Sequence, residues 1–99
     1  MNDITTDELK QRMDSGEQLH IYDVREPYEY DEYNIGAINI PLGELPGRLS
    51  ELAHLKDNEV IVHCRSGARS ANAKMFLQDS GFSNVRNLLG GMLDWQSKF

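Results

Sequence analysis

The chain has 99 residues and a formal net charge of −6, and a chain of this length forms a single domain. Its 39% hydrophobic and 26% charged residues are typical of a soluble globular protein. The excess of acidic residues argues against a nucleic-acid or membrane-surface partner, because both bind basic surfaces. The single cysteine, Cys64, excludes an intrachain disulfide and a zinc site made of paired cysteines. We expect residues 1–99 to be one domain.

The subcellular location is predicted from two features that the sequence lacks. No stretch approaches the roughly 18 apolar residues that a membrane span needs, and the acidic N-terminal residues do not resemble a secretory signal peptide. We therefore expect a cytoplasmic protein. His20 and His54 show no metal-ligand spacing with each other or with Cys64, so neither a metal nor another cofactor is predicted.

Strands and helices are predicted to alternate along the chain. The capping-box pattern from Thr5 to Glu8 starts a helix over about 6–15. The elements that follow are a strand over 20–25, a helical turn over 27–30, a strand over 37–40, a helical segment over 42–55, a strand over 60–64, a helix over 67–81, a strand over 85–89 and a helix over 92–99. This order predicts an α/β fold with a parallel sheet covered by helices on both faces.

The run from Val60 to Cys64 is the clearest strand, since it is apolar and β-branched as a central parallel strand should be. The short turn after Pro27 is crowded with acidic residues, and we interpret it as a solvated face. Its carboxylates are Glu26, Glu29, Asp31 and Glu32.

The loop from Cys64 to Ser70 lies where this buried strand turns into a helix. In open α/β sheets, ligands bind outside the carboxyl ends of the strands. The free N–H groups and the dipole of the following helix favour a negative charge there, and Arg65 and Arg69 add two positive charges. These effects predict a lowered pKa for Cys64 and a nucleophilic thiolate near neutral pH.

Charge distribution along the sequence favours the same interpretation. Residues 60–78 include Arg65, Arg69 and Lys74 but no acidic residue, whereas the rest of the chain is strongly acidic. This arrangement suits a small anionic substrate. The alternative is that Cys64 is an inert core residue, which is the commoner role of a lone cysteine after an apolar run.

Four segments in this order give the chain a resemblance to a known family. They are Asp23-Val24-Arg25-Glu26-Pro27 with Glu29-Tyr30, Ile35-Gly36-Ala37-Ile38-Asn39-Ile40-Pro41, His63-Cys64-Arg65-Ser66-Gly67-Ala68-Arg69-Ser70, and Asn87-Leu88-Leu89-Gly90-Gly91 with Trp95. Together they resemble the signatures of the rhodanese-like sulfurtransferase family, over nearly the whole chain.

The resemblance implies a central five-stranded parallel sheet flanked by helices. It also implies that the Cys64 thiolate attacks the sulfane sulfur of a donor such as thiosulfate, polysulfide or another persulfide. The resulting persulfide then passes its outer sulfur to cyanide, a small thiol or a protein thiol. Arg65 and Arg69 would orient the anionic donor. The loop residues expected to bind the substrate are Arg65, Ser66, Gly67, Ala68 and Arg69.

Two alternative functions stay open. One is a non-catalytic rhodanese-like module that binds and regulates a partner, although such a module has no need of Cys64 beside two arginines. The other is a phosphatase or arsenate reductase of the same fold. Related enzymes of that type have a loop one residue longer than Cys64–Arg69, so sulfur transfer is favoured.

The chain departs from the family pattern at two places. Tyr33-Asn34-Ile35 replaces the usual residues of the second signature and is one residue shorter, which could alter substrate access. The N-terminus is short, so the family's first strand is expected to be at most a stub around Ile4.

Several polar residues near the signatures are interpreted as structural. Asp23 and Arg25 are expected to connect neighbouring loops through ion pairs. Asp23 could also lie near the pocket, so its role stays open. His63 is disfavoured as a base, because successive strand residues point to opposite faces. Ser66 and Ser70 are expected to cap the following helix rather than to bond the sulfur.

Overall fold

The computed structural model describes residues 2–99. Its α-helices are α1 (Thr6–Asp14), α2 (Pro27–Glu32), α3 (Ala68–Asp79) and α4 (Gly91–Lys98). Its strands are β1 (Ile21–Asp23), β2 (Ile38–Asn39), β3 (Glu59–His63) and β4 (Asn84–Asn87). Every predicted helix and strand outside 42–55 is present with small shifts at its ends. The Thr5 hydroxyl accepts a hydrogen bond from the Glu8 N–H and caps α1, as its position predicts.

The four strands form one parallel sheet in the order β2-β1-β3-β4. The expectation of five strands is therefore wrong by one. Ile4 makes only an isolated parallel bridge with Leu88, donating its N–H to the Asn87 carbonyl at 3.0 Å. The pairing does not continue beyond Thr5, because α1 begins two residues after Ile4, at Thr6.

Two apolar cores cover the two faces of the sheet, and β3 contributes to both. Val60 and Val62 pack into the core that includes Leu77 of α3, whereas Ile61 packs into the core that includes Trp95 of α4. This alternation is the period-two pattern of a strand buried on both faces. The predicted helices on both faces are confirmed.

The segment between β2 and β3 is less regular than a single helix. It consists of three 3₁₀ helices over Leu42–Glu44, Pro46–Glu51 and Ala53–Leu55. Pro46 has no N–H to continue a helical ladder, which limits the length of each piece. Leu45 and Leu52 are nevertheless fully buried, as their spacing predicts.

Parallel pairing brings the carboxyl ends of β1, β3 and β4 to one edge of the sheet. Asp23 ends β1, Cys64 directly follows β3 and Asn87 ends β4. A ligand-binding site is therefore expected at this edge of the sheet. None of the helices within residues 2–99 has the length and apolar character needed to cross a membrane, and the cytoplasmic location stays a prediction.

Candidate active site

The Cys64 sulfur lies inside a turn of hydrogen-bond donors. The Gly67 N–H donates to Sγ at 3.1 Å, and the N–H and the hydroxyl of Ser70 each donate at 3.4 Å. Gly67 is the residue before α3 and has φ +105°, a conformation that a side chain disfavours. The loop therefore directs backbone donors at the sulfur, as the helix start predicts.

The pKa of the Cys64 thiol is lowered from its ordinary value. Burial of the thiol acts in the opposite direction and would raise the pKa. Hydrogen bonds from the Ser70 hydroxyl, and from the N–H groups of Ser70, Gly67 and Ser66, outweigh it by favouring the thiolate. The predicted direction is confirmed, and its main cause is hydrogen bonding within the loop.

Ser70 takes a different role from the helix cap that we expected. No side chain caps α3, and Ser70 is fully buried in its first turn. Its hydroxyl lies 2.5 Å from Asn87 Oδ1 and 3.4 Å from Sγ. A hydroxyl has one proton for these two acceptors, and ionisation of the sulfur draws that proton towards Sγ, since charged acceptors bind more strongly.

Asn87 is the site residue for which sequence reasoning assigned no role. Its Nδ2 donates to the Gly67 carbonyl at 3.1 Å, which turns Oδ1 towards Ser70. The available signal was a polar residue at the carboxyl end of a strand next to β3. Asn87 thus holds the middle of the turn at Gly67 and its end at Ser70.

Replacing Ser70 with alanine is expected to raise the pKa of Cys64, because the thiolate loses its hydroxyl donor while the backbone donors remain. The rate of alkylation by iodoacetamide, measured against pH, should shift its midpoint upward and fall several-fold at neutral pH. Ser66→Ala is the matched control, since Ser66 contributes only its backbone N–H. An unshifted Ser70→Ala profile would contradict this role.

The start of α4 holds the loop from the opposite side. The Met92 N–H donates to the Cys64 carbonyl and the Leu93 N–H to the Arg65 carbonyl, each at 3.0 Å. A Cβ on Gly91 would lie 2.5 Å from the Cys64 carbonyl oxygen. The loop therefore requires glycine at position 91, where the two backbones come closest.

The two loop arginines have different surroundings. Arg69 makes two hydrogen bonds to the Glu29 carboxylate, at 2.7 and 3.0 Å. Arg65 is exposed, and no carboxylate within residues 2–99 lies at salt-bridge distance from it. Arg65 is thus free to meet an anionic donor, whereas Arg69 is already paired.

The stretch of sequence around Cys64 has no acidic residue, but the folded structure does place a carboxylate beside the loop. Glu29 comes from α2, which begins at the same edge of the sheet. Its side chain is only 14% exposed, so the interpretation of this turn as a solvated face is wrong for Glu29. The hydrogen bond from Arg69 lowers the pKa of Glu29 to about 2, and the carboxylate stays ionised at neutral pH.

An open cleft of about 260 Å³ lies beside the loop. It is lined by Arg25, Glu29, Glu32, Tyr33, Arg65, Met92, Leu93 and Gln96. Tyr33 belongs to the segment that departs from the family pattern, so the departure does lie at the cleft. Cys64 is 1% exposed and does not itself line the cleft.

Asp23 and Arg25 form a buried ion pair at the carboxyl end of β1. Arg25 Nη2 lies 2.7 Å from the Asp23 carboxylate and also 2.7 Å from the Tyr33 carbonyl. Asp23 is completely buried, which supports a structural role, and Arg25 also lines the cleft. The pair links the end of β1 to the end of α2.

His63 lies beneath the site as a neutral core residue. It is completely buried, and neither ring nitrogen has a hydrogen-bond partner among residues 2–99. Burial lowers its pKa, although the Asp23 carboxylate lies 3.7 Å away. Ala68, another of the predicted loop residues, begins α3 and is exposed.

The chain is similar to known proteins over almost its whole length. The family model of the rhodanese-like domain matches residues 5–98. A protein of Allochromatium vinosum named sulfurtransferase is 38% identical over 96 residues, which cover 96% of this chain and 88% of that protein. The Bacillus subtilis protein YrkF is 41% identical over 97 residues, 97% of this chain, but the chain spans only 51% of its length.

A solved structure extends the similarity to the fold. The crystal structure of a rhodanese-like domain protein from Staphylococcus aureus superposes with a TM-score of 0.85 and 33% identity, covering 96% of this chain and 91% of that one. This overlap in fold, together with the family match over residues 5–98, agrees with the parallel sheet and flanking helices described above. The chain belongs to the rhodanese-like domain family.

Proposed function

We propose that the protein is a sulfurtransferase in which Cys64 carries the transferred sulfur as a persulfide. The observation that carries the proposal is the set of donors around Sγ: the Gly67 and Ser70 N–H groups and the Ser70 hydroxyl. These groups favour a thiolate and would equally hold the negative outer sulfur of a persulfide. The name of the Allochromatium vinosum relative supports the same activity.

The first half-reaction transfers sulfur to the enzyme. The Cys64 thiolate attacks the outer sulfur of thiosulfate, the S–S bond of the donor breaks, and sulfite leaves with the bonding electron pair. Arg65, the unpaired cation at the cleft, orients the anionic donor, and the backbone of Ser66, Gly67, Ala68 and Arg69 surrounds the persulfide. Polysulfide or a small persulfide would deliver sulfur in the same way.

The second half-reaction regenerates the thiolate. A thiolate acceptor or cyanide attacks the outer sulfur of the persulfide and leaves Cys64 as a thiolate. Since the chain has no second cysteine, the persulfide has no intrachain thiol with which to form a disulfide. The sulfur must leave to an acceptor outside the chain, a small thiol, a protein thiol or cyanide.

Two other functions fit the geometry less well. A non-catalytic binding module gives no reason for a cysteine whose thiolate is stabilised by four hydrogen-bond donors. A phosphatase or arsenate reductase would have to surround a tetrahedral oxyanion with the six residues from Cys64 to Arg69, one fewer than in related oxyanion enzymes. Sulfur transfer explains the stabilised thiolate and does not need a longer loop.

Turnover separates these functions. With thiosulfate and cyanide as substrates, we expect thiocyanate to form catalytically and Cys64→Ser to abolish its formation. The same samples should not hydrolyse an aryl phosphate or reduce arsenate. Equal thiocyanate formation by the native protein and by Cys64→Ser would contradict the proposal, and turnover of aryl phosphate or arsenate alone would favour the other enzyme class.

A further inference from the structure

The charges around the cleft nearly cancel, although the loop sequence is basic. Arg25 is matched by Asp23 and Arg69 by Glu29. Arg65 is the remaining cation at the cleft, and Glu32 contributes a further carboxylate to its lining. An entering donor therefore meets one free positive charge and at least one negative charge, besides the thiolate itself.

Glu29 is held in place so that it faces both Arg69 and the cleft. Its Oε1 accepts hydrogen bonds from Arg69 Nη1 at 2.7 Å and from the Glu26 N–H at 3.0 Å, and its Oε2 accepts from Arg69 Nη2 at 3.0 Å. The side chain is 14% exposed and also lines the cleft. Solvent therefore screens its charge only weakly on the side that faces the cleft, although Arg69 balances that charge on the other side.

Arg69 would otherwise be a second cation for the donor. It is close enough to Cys64 for the sulfur charge to stabilise its guanidinium. The bidentate pairing with Glu29 uses one N–H of each terminal nitrogen and balances the charge of the guanidinium, so a dianion gains little from Arg69. A donor with a single negative charge loses less attraction to the site, because Arg65 alone balances its charge.

We propose that Glu29 is a specificity-determining residue that selects against dianionic sulfur donors and favours donors with a single negative charge. This proposal rests on the sulfurtransferase function proposed above and deepens it by assigning the charge class of the donor. Glu29 acts as the repulsive element of the site, and such elements set specificity as effectively as new attractive contacts.

Two donors that react through the same chemistry test the charge directly. Thiosulfate carries two negative charges at neutral pH, and methanethiosulfonate carries one. With either donor, the Cys64 thiolate takes the outer sulfur and becomes a persulfide. The donor S–S bond breaks and its electron pair leaves with sulfite in the first case and with methanesulfinate in the second, so that atoms and charges balance.

The readout is the ratio of kcat/KM for thiosulfate to kcat/KM for methanethiosulfonate, with cyanide as acceptor. Glu29→Gln keeps an oxygen acceptor for Arg69 and removes the charge, and we expect the ratio to rise about 3- to 10-fold, through a lower KM for thiosulfate. Glu29→Asp keeps the negative charge beside Arg69 and should change the ratio less than Glu29→Gln does. A merely structural role would lower kcat for both donors and leave the ratio unchanged.

Glu17→Gln is the matched control. Glu17 also pairs with an arginine at 2.7 Å, but that arginine binds Glu59 at the start of β3, about 17 Å along the strand from Cys64. Its ratio should stay within about 1.5-fold of the native one, as expected for an exposed, screened charge. If Glu17→Gln raised the ratio as much as Glu29→Gln, the effect would be due to net charge and the role of Glu29 would be overturned.

The two proposals fail in different ways. If the native protein takes sulfur from neither donor, the sulfurtransferase function fails and the donor selection with it. If it takes sulfur and Glu29→Gln leaves the ratio unchanged or lowers it, only the donor selection is overturned. Thermal unfolding checks that the variant folds, and Glu29→Ala, which also frees Arg69, replaces it if it does not.

Discussion

A Gly91→Ala variant is expected to lose about 3 kcal/mol of unfolding free energy, through overpacking and a strained backbone. The new Cβ would lie 2.5 Å from the Cys64 carbonyl oxygen and 2.7 Å from the Arg65 carbonyl oxygen. Both atoms are backbone, so no side chain can rotate away. Gly91 also has φ +54°, which alanine adopts only with strain.

This loss would reach the active site as well as the fold. The N–H groups that follow Gly91 bind the carbonyls of Cys64 and Arg65, so moving the start of α4 moves the loop. We expect persulfide formation to slow at least tenfold in the fraction that stays folded. Urea denaturation measures the stability, and a single-turnover assay measures the rate.

Gly43→Ala is the matched control for Gly91→Ala. A Cβ added at Gly43 would meet no atom within 4 Å, and the φ of Gly43 is not positive, so the urea midpoint of this variant should hardly change. If Gly91→Ala were as stable as Gly43→Ala, the close approach between α4 and the loop would not constrain the site.

Replacing Arg25 with methionine is the second change with a large expected effect. Asp23 is completely buried, and without Arg25 its carboxylate loses the arginine that balances its charge, leaving only the His63 ring nearby. Removing one partner of a buried ion pair costs about 3–5 kcal/mol. Thermal or urea unfolding should show a loss of this size.

The exposed pair of Arg48 and Glu51 supplies the control. Arg48 Nε lies 2.9 Å from the Glu51 carboxylate, but both side chains are open to solvent, so Arg48→Met should leave the unfolding midpoint nearly unchanged. Similar losses from Arg25→Met and Arg48→Met would show that burial of Asp23 is not what makes its pair important.

The part of the site that is local in sequence could be predicted. The run Val60–Val62 marks the central strand by its β-branched residues, and Gly67 marks the tight turn before the next helix. Because a strand, a turn and a helix start follow one another within about ten residues, the position of Cys64 and the direction of its pKa shift follow from the sequence.

The contacts between distant residues could not be predicted. Glu29 and Arg69 are 40 positions apart, and Ser70 and Asn87 are 17 apart. A charge pattern read along the chain cannot show which acidic residue of the α2 turn folds back to an arginine. The sequence therefore indicates two unpaired arginines in the Cys64 loop, whereas among residues 2–99 Arg69 is paired with Glu29 and only Arg65 has no carboxylate at salt-bridge distance.

The missing strand has a similar physical reason. Ile4 has the apolar, β-branched character of a strand residue and does pair with Leu88. Whether that pairing extends depends on where α1 begins and on how the chain before it meets β4. Those contacts are decided by the packing of α1 and not by the propensity of Ile4 itself.

The mass of the intact protein after incubation with a sulfane donor tests the central claim most directly. Native protein treated with thiosulfate or methanethiosulfonate, and freed of excess donor, should gain the mass of one sulfur atom. That gain should be absent in Cys64→Ser and should be removed by cyanide with formation of thiocyanate. No gain with either donor, or an equal gain in Cys64→Ser, would contradict a persulfide on Cys64 as the carrier of the transferred sulfur.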